Sequence, residues 1–235
     1  MADARSRLTR QHISDSVEDL GWRYVLGALC TSVRIQSSAH AAALAVVLTG
    51  EAGDAAGSLQ LDLRPDRVIV RLQDGRTSWV TEREIAAAGR LTESLAAGGL
   101  RPDPDVADPD SRSVQLIEIG IDALDIAAIR PFWLAVLGYG GEPGHDGPQD
   151  AIVDPQGQGP AVWFQQMDAP RPQRNRIHFD VSVPHDEAAS RIAATIAAGG
   201  VLLSDAAAPA FWVLADAEGN EACVTTWQGR DPAPQ

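Results

Sequence analysis

Apolar and polar positions along the chain follow two periods, and the change from one to the other marks out the elements. LQLDLRPDRVIVRLQ (59–73) alternates with period two on both sides of Arg64-Pro65-Asp66, the pattern of a hairpin with one buried face. TEREIAAAGRLTESLAAGG (81–99) has helical period, with Thr81 as cap, Glu84 three residues on and Gly98-Gly99 as stop. SSAHAAALAVVLTGEAG (37–53) predicts a Ser-capped apolar helix ending near Gly50 or Gly53. WRYVLGALCTSVRI (22–35) is rich in β-branched and aromatic residues around Gly27, which predicts two short strands or one bent strand. Ser14 to Leu20 (SDSVEDL) places capping residues and acids where the start of a helix prefers them. The order α-β-β-α-β-β-α predicts an antiparallel sheet with helices packed on one face.

Residues 98–112, GGLRPDPDVADPDSR, have no period and read as a linker, so the expected domains are 1–97 and 113–235. The terminal GRDPAPQ reads as a frayed tail. Beyond the linker the chain repeats itself. LIEIGIDALDIAAIRPFWLAVLGYGG (116–141) is a strand, a helix and a Gly-rich stop, and IHFDVSVPHDEAASRIAATIAAGGVLL (177–203) has the same order. Glu118 matches His178 at an offset of 60 residues, and the Asp-x-x-Gly turns at Asp154 and Asp216 match at 62. Each turn leads into an apolar strand, AVWFQQM or EACVTTW. These offsets predict two βαβββ modules, related by a pseudo-twofold, whose sheets curl around a shared cleft. The whole chain is thus expected to be α+β.

Composition narrows the partners. The 235 residues carry 19 Lys and Arg against 32 Asp and Glu, a net charge of −13, which repels phosphate backbones and anionic lipid surfaces. No nucleic-acid or membrane partner is expected. With two cysteines, Cys30 and Cys223, there is no disulfide framework and no cysteine-rich zinc module. MADARSRLTRQ is polar, unlike a secretory signal, and the longest apolar run, Ala41 to Leu48, is too short to span a bilayer. The expected compartment is the cytoplasm.

The second part resembles the glyoxalase-like branch of the vicinal oxygen chelate superfamily. The resemblance rests on Asp122-Ala-Leu-Asp125, Phe132-Trp133, Leu137-Gly138-Tyr139, Asn175-Arg176-Ile-His178-Phe-Asp180 and Asp216-x-x-Gly219-Asn220-Glu221. It implies a small-molecule ligand and a divalent metal (Mn, Fe, Ni, Co or Zn) held on the first and last strands of each module. Carried over residue by residue, the implied ligands are Glu118 and His178, with Glu221 as a third from a shifted position because Cys223 stands where the family has an acid. The implied chemistry is that of a metal-dependent lyase, isomerase or dioxygenase, with Glu118 or Glu221 moving protons. Trp163, Gln165, Trp212 and Cys223 are the expected substrate-binding groups. The residues alone leave a metal-free pocket open: His178 can be a core histidine, and Glu118 can pair with Arg176 or Arg130. Trp133 beside Phe132 reads as core, and His145 as a solvent-exposed loop histidine.

Residues 8–97 resemble pterin-4a-carbinolamine dehydratase, through Gly21-Trp22, the Glu51 segment, VIVRL and Thr81-Glu82-x-Glu84. That chemistry needs a His-His-Pro run and a third histidine, since imidazoles titrate near neutrality. Aligned on Glu51, those positions hold Ala55-Ala56, Gly57 and a residue near Gly75, none of them histidine, and His12 and His40 lie elsewhere. The expectation is a degenerate domain kept for homodimerisation. The functional alternatives are therefore a metal-dependent enzyme, a metal-free binding protein, and a 4a-hydroxytetrahydrobiopterin dehydratase.

Overall fold

The computed structural model describes residues 7–104, 114–171, 173 and 175–230, and the chain divides into two compact units at Leu116–Ile117. Both are α+β. The first contains α1 (Arg10–Val17), β1 (Arg23–Val25), β2 (Ala28–Arg34), α2 (Ser38–Glu51), a 3-10 turn (Gly53–Ser58), β3 (Leu59–Leu63), β4 (Arg67–Leu72) and α3 (Glu82–Ala97). Its four strands pair antiparallel in the order β1-β2-β4-β3. Leu29, Val33, Val68, Val70 and Leu72 face one way and meet Ile13, Leu48 and Leu91 from the helices. The β1–β2 segment is two strands, turning at Leu26 and Gly27, both with positive φ.

The first helix corrects the expectation of a start at Ser14. It begins at Arg10, because the Thr9 hydroxyl accepts from the His12 N–H at 3.2 Å. That earlier cap puts Ile13 and Val17 one turn apart on the buried face. The linker too is partly structured. Asp103 exchanges backbone and side-chain hydrogen bonds with Ser32, and its carboxylate pairs with Arg34 at 3.0 Å. Residues 105–113 and 231–235, which hold most of the predicted linker and tail, lie outside the described residues.

The capping box of α3 is formed, and Glu84 does more in it than close a helix. Its carboxylate is fully buried and accepts from Ser58 Oγ at 2.7 Å, Thr81 N at 2.9 Å, Thr81 Oγ1 at 2.6 Å and Arg83 Nε at 2.9 Å. Burial works against its charge, but these donors outweigh it and hold the carboxyl below the usual glutamate range.

The second unit contains β5 (Glu118–Ala123), α4 (Ile126–Leu137), β6 (Gly140–Gly141), β7 (Ile152–Val153) and β8 (Ala161–Gln166), then β9 (Phe179–Ser182), α5 (Ala188–Ala197), β10 (Val201–Ser204), β11 (Phe211–Ala215) and β12 (Glu221–Thr225). Each half is a βαβββ module. The sheet orders, β5-β8-β7-β6 and β9-β12-β11-β10, are the same, with the first strand parallel to the fourth. Ile119 stands opposite Val162 as Phe179 stands opposite Ala222, so the strands repeat at 60 residues. The offset of 62 at the turns comes from a first-module turn two residues longer between its Asp and the strand that follows.

A native carboxyl held low stabilises the fold fully above its unfolded value and loses that contribution as pH falls through the native one. Glu84→Gln should therefore cost about 2–4 kcal/mol near neutrality, where the charge is fully expressed. Urea unfolding of both proteins should show the gap narrowing below roughly pH 4. A gap independent of pH would mean that Glu84 is not ionised in the folded protein.

Candidate active-site cleft

Strand alternation sorts the second unit into two faces. Ile121, Ala123, Val162, Phe164, Ala222 and Val224 enter the core under α4 and α5. Glu118, Gly120, Asp122, Trp163, Gln165, Asp180 and Cys223 alternate with them and share the opposite face. The Trp163 indole lies directly over Gly120, whose Cα would carry any Cβ only 3.0 Å from the ring. Any larger residue there would require the indole to shift by a few tenths of an ångström.

β5 and β9 are each the edge strand of their sheet, and a cavity of about 590 Å³ is lined from both, by Ile119–Asp122 and by Phe179. One turn holds its rim. Asp216 is buried, and its carboxylate accepts from Glu218 N and Asn220 N, both at 2.9 Å, from Asn220 Nδ2 at 2.8 Å, and from Trp133 Nε1 of α4 at 3.0 Å. Asn220 in turn accepts from Asn175, in the crossover between the modules. Glu218 reaches the other module, accepting from Leu124 N and Asp125 N at 2.7–2.9 Å, and so covers the N-terminus of α4. Trp133, predicted as core, is buried and is also part of the cavity wall.

The expected metal ligands are only partly brought together. Among the described residues, the ligand atoms of His178, Asp180 and Cys223 lie within 4.8 Å of one another. His178 Nε2 is 3.5 Å from Asp180 Oδ1, and Cys223 stands opposite Asp180 in the β9–β12 ladder. Glu118 and Glu221 are outside that group. The reason is register: Glu221 precedes Cys223 by two positions, which along a strand is about 7 Å. Glu118 sits at the start of β5 opposite Ala161, where burial and the neighbouring Glu142 carboxylate push its carboxyl above the ordinary glutamate value. Asp180 is the site residue that sequence reasoning did not single out, although its i+2 spacing from His178 was the available signal.

Other expectations resolve as follows. Arg130 is committed to Asp146, at 2.9 Å, and to the Asp150 carbonyl, so it is not the partner of Glu118. Trp212 packs against the core on the Leu214 face, away from Trp163. Trp163, Gln165, Trp212 and Cys223 do not line the cavity, whereas Glu221 does. The other thiol, Cys30, is buried in the first unit, and burial pushes it up to about 11 despite Arg71 nearby.

Paired βαβββ modules beside a shared cavity, with a compact His, Asp and Cys group on one of the two sheets, give the second unit the architecture of the vicinal oxygen chelate type. Residues 118–225, just under half of the chain, match the family model described as a glyoxalase-like domain. Among solved structures, the chain is similar to a glyoxalase/bleomycin resistance protein/dioxygenase family enzyme from Burkholderia phytofirmans PsJN, at 16% identity and TM-score 0.35, over 46% of this chain and 95% of that one. It is similar to a glyoxalase-related enzyme from Fulvimarina pelagi at 20% identity and TM-score 0.36, over 49% and 88%. It is also similar to a transcriptional coactivator/pterin dehydratase from Brucella melitensis at 22% identity and TM-score 0.34, over 37% and 97%. No curated protein matches the chain.

Asp216→Ala should remove about 3 kcal/mol from the second unit, since it leaves the buried Trp133 donor and the half-buried Asn220 donors without their acceptor. Calorimetry of the full chain is expected to show one transition lowered and the other unmoved. Two transitions lowered together would contradict a role confined to the second unit.

Proposed function

We propose that the glyoxalase-like unit is an enzyme acting on a small oxygenated metabolite, with His178, Asp180 and Cys223 holding one divalent metal. The observation that carries the reading is the convergence of these three side chains on one face. A nitrogen, an oxygen and a sulfur donor suit Zn, Fe, Co or Ni better than Mg or Ca, and three protein ligands leave a position open for substrate or water. An ion held by these residues would supply Lewis acidity toward a substrate oxygen. The chain's own groups do the rest. Phe179, between two of the ligands, presents the apolar cavity wall, and the turn at Asp216 fixes the rim. Glu118, whose carboxyl is raised above its ordinary value by burial and by the Glu142 carboxylate, is the group that would give and take a proton, as a lyase, isomerase or dioxygenase of this class requires.

The first unit serves assembly rather than chemistry in this proposal. Its pterin dehydratase-like scaffold has alanines and glycines at the positions where that chemistry needs imidazoles. Its α2 instead presents Val46, 75% exposed, and Val47, 47% exposed, as an apolar face for a second copy of the chain. No described helix is long and apolar enough to cross a membrane, in keeping with the cytoplasmic homodimer proposed here.

Titration of the reduced protein with Co(II) is expected to give about one ion per chain and the near-ultraviolet charge-transfer band of a cobalt–thiolate bond. Cys223→Ser should abolish the band, and His178→Ala should weaken binding by more than about tenfold. Glu118→Ala and Glu221→Ala should leave both readouts in place. Absence of the band from the parent protein overturns the metal site and favours the metal-free binding protein.

A further inference from the structure

We infer that the cavity between β5 and β9 takes an organic acid, its apolar body on the cavity floor and its carboxylate on Arg176. This rests on the small-molecule reading of the unit and is independent of the metal. The floor is apolar, formed by Trp133, Phe179, Ile119, Ile121 and Met167, and about 590 Å³ is the size of cavity that encloses a compact organic molecule.

The rim assigns the charge. Each of its acids is already occupied. Glu218 accepts the Leu124 and Asp125 N–H groups, Asp122 lies 3.6 Å from Arg171, and Glu221 also has a partner. Two of the rim amides are engaged as well: Asn175 donates to Asn220, and Asn220 donates to Asp216. Arg176 is different. It lines the cavity, and among the described residues no carboxylate lies within 4.0 Å of its guanidinium. In a chain of net charge −13, a guanidinium left without a carboxylate beside an apolar cavity is the group an anionic ligand would complete.

The test uses chelator-treated full-length protein, with 2-naphthoate and its neutral isostere 2-naphthamide as probes, by calorimetry. The parent protein should bind the acid at least about tenfold more tightly than the amide. Arg176→Gln, an exposed substitution checked by circular dichroism, should bring the acid to the affinity of the amide and leave the amide within about twofold. Cys223→Ser should keep the preference for the acid, which places the carboxylate away from the metal group. Equal binding of acid and amide by the parent overturns the anion subsite while the cavity reading stands. Binding of neither probe overturns both. A preference that survives Arg176→Gln overturns the assignment to Arg176 alone.

Discussion

The Asp216 carboxylate is the interaction on which the second unit depends. It is buried, yet each oxygen accepts two hydrogen bonds, so the cost of removing a charge from water is offset without a cation. One of those donors is Trp133 on the helix of the other module, so the turn that orders the last strand also fixes the cavity wall. Glu218, two residues on, adds a second tie by covering the start of α4. Removing the carboxylate would loosen strand, helix and rim together, because all three meet at the same two oxygen atoms.

The same economy marks the first unit, where Glu84 closes α3 and satisfies the Ser58 hydroxyl at the end of the preceding 3-10 turn. In both units a buried acid joins a helix to a turn far away in sequence. Neither acid lies in the His, Asp and Cys group. That group has His178 and Asp180 exposed and Cys223 buried.

Much of this architecture could be read from the chain. The strand–helix order of the first unit followed from period two around Arg64-Pro65-Asp66 and from the Thr81/Glu84 pair, both local signals. The repeat followed because two modules with the same strand pairing impose the same spacing of apolar residues. Where local signals competed, reading failed. Ser14 and its acids resemble a helix start, but Thr9 caps earlier and thereby buries Ile13 and Val17. The candidate ligand set was only half legible. His178 is fixed by the repeat, but whether Glu221 or Cys223 meets it depends on the register of β12 against β9, which no single strand encodes. Arg176 stood in a quoted motif, yet its importance rests on which neighbouring acids and amides are already satisfied, and that emerges only once distant segments are brought together.

The two Asp-x-x-Gly turns are relatives with different obligations. Among the described residues, the Asp154 carboxylate accepts from its own loop, the Gln156, Gln158 and Gly159 N–H groups at 2.8–2.9 Å. Burial opposes its charge, but those three donors hold its carboxyl below the ordinary aspartate value. By contrast with α4, the N-cap residue of α5, Glu187, makes no capping bond with its side chain. A duplicated ancestor with two equivalent turns would have had interchangeable halves. Here the second half covers the start of the first half's helix, and among the described residues no equivalent side-chain cap runs the other way, so the two halves are not equivalent. The longer, self-contained turn at Asp154 is the place where the domain can accept inserted sequence and acquire new loops around its cleft.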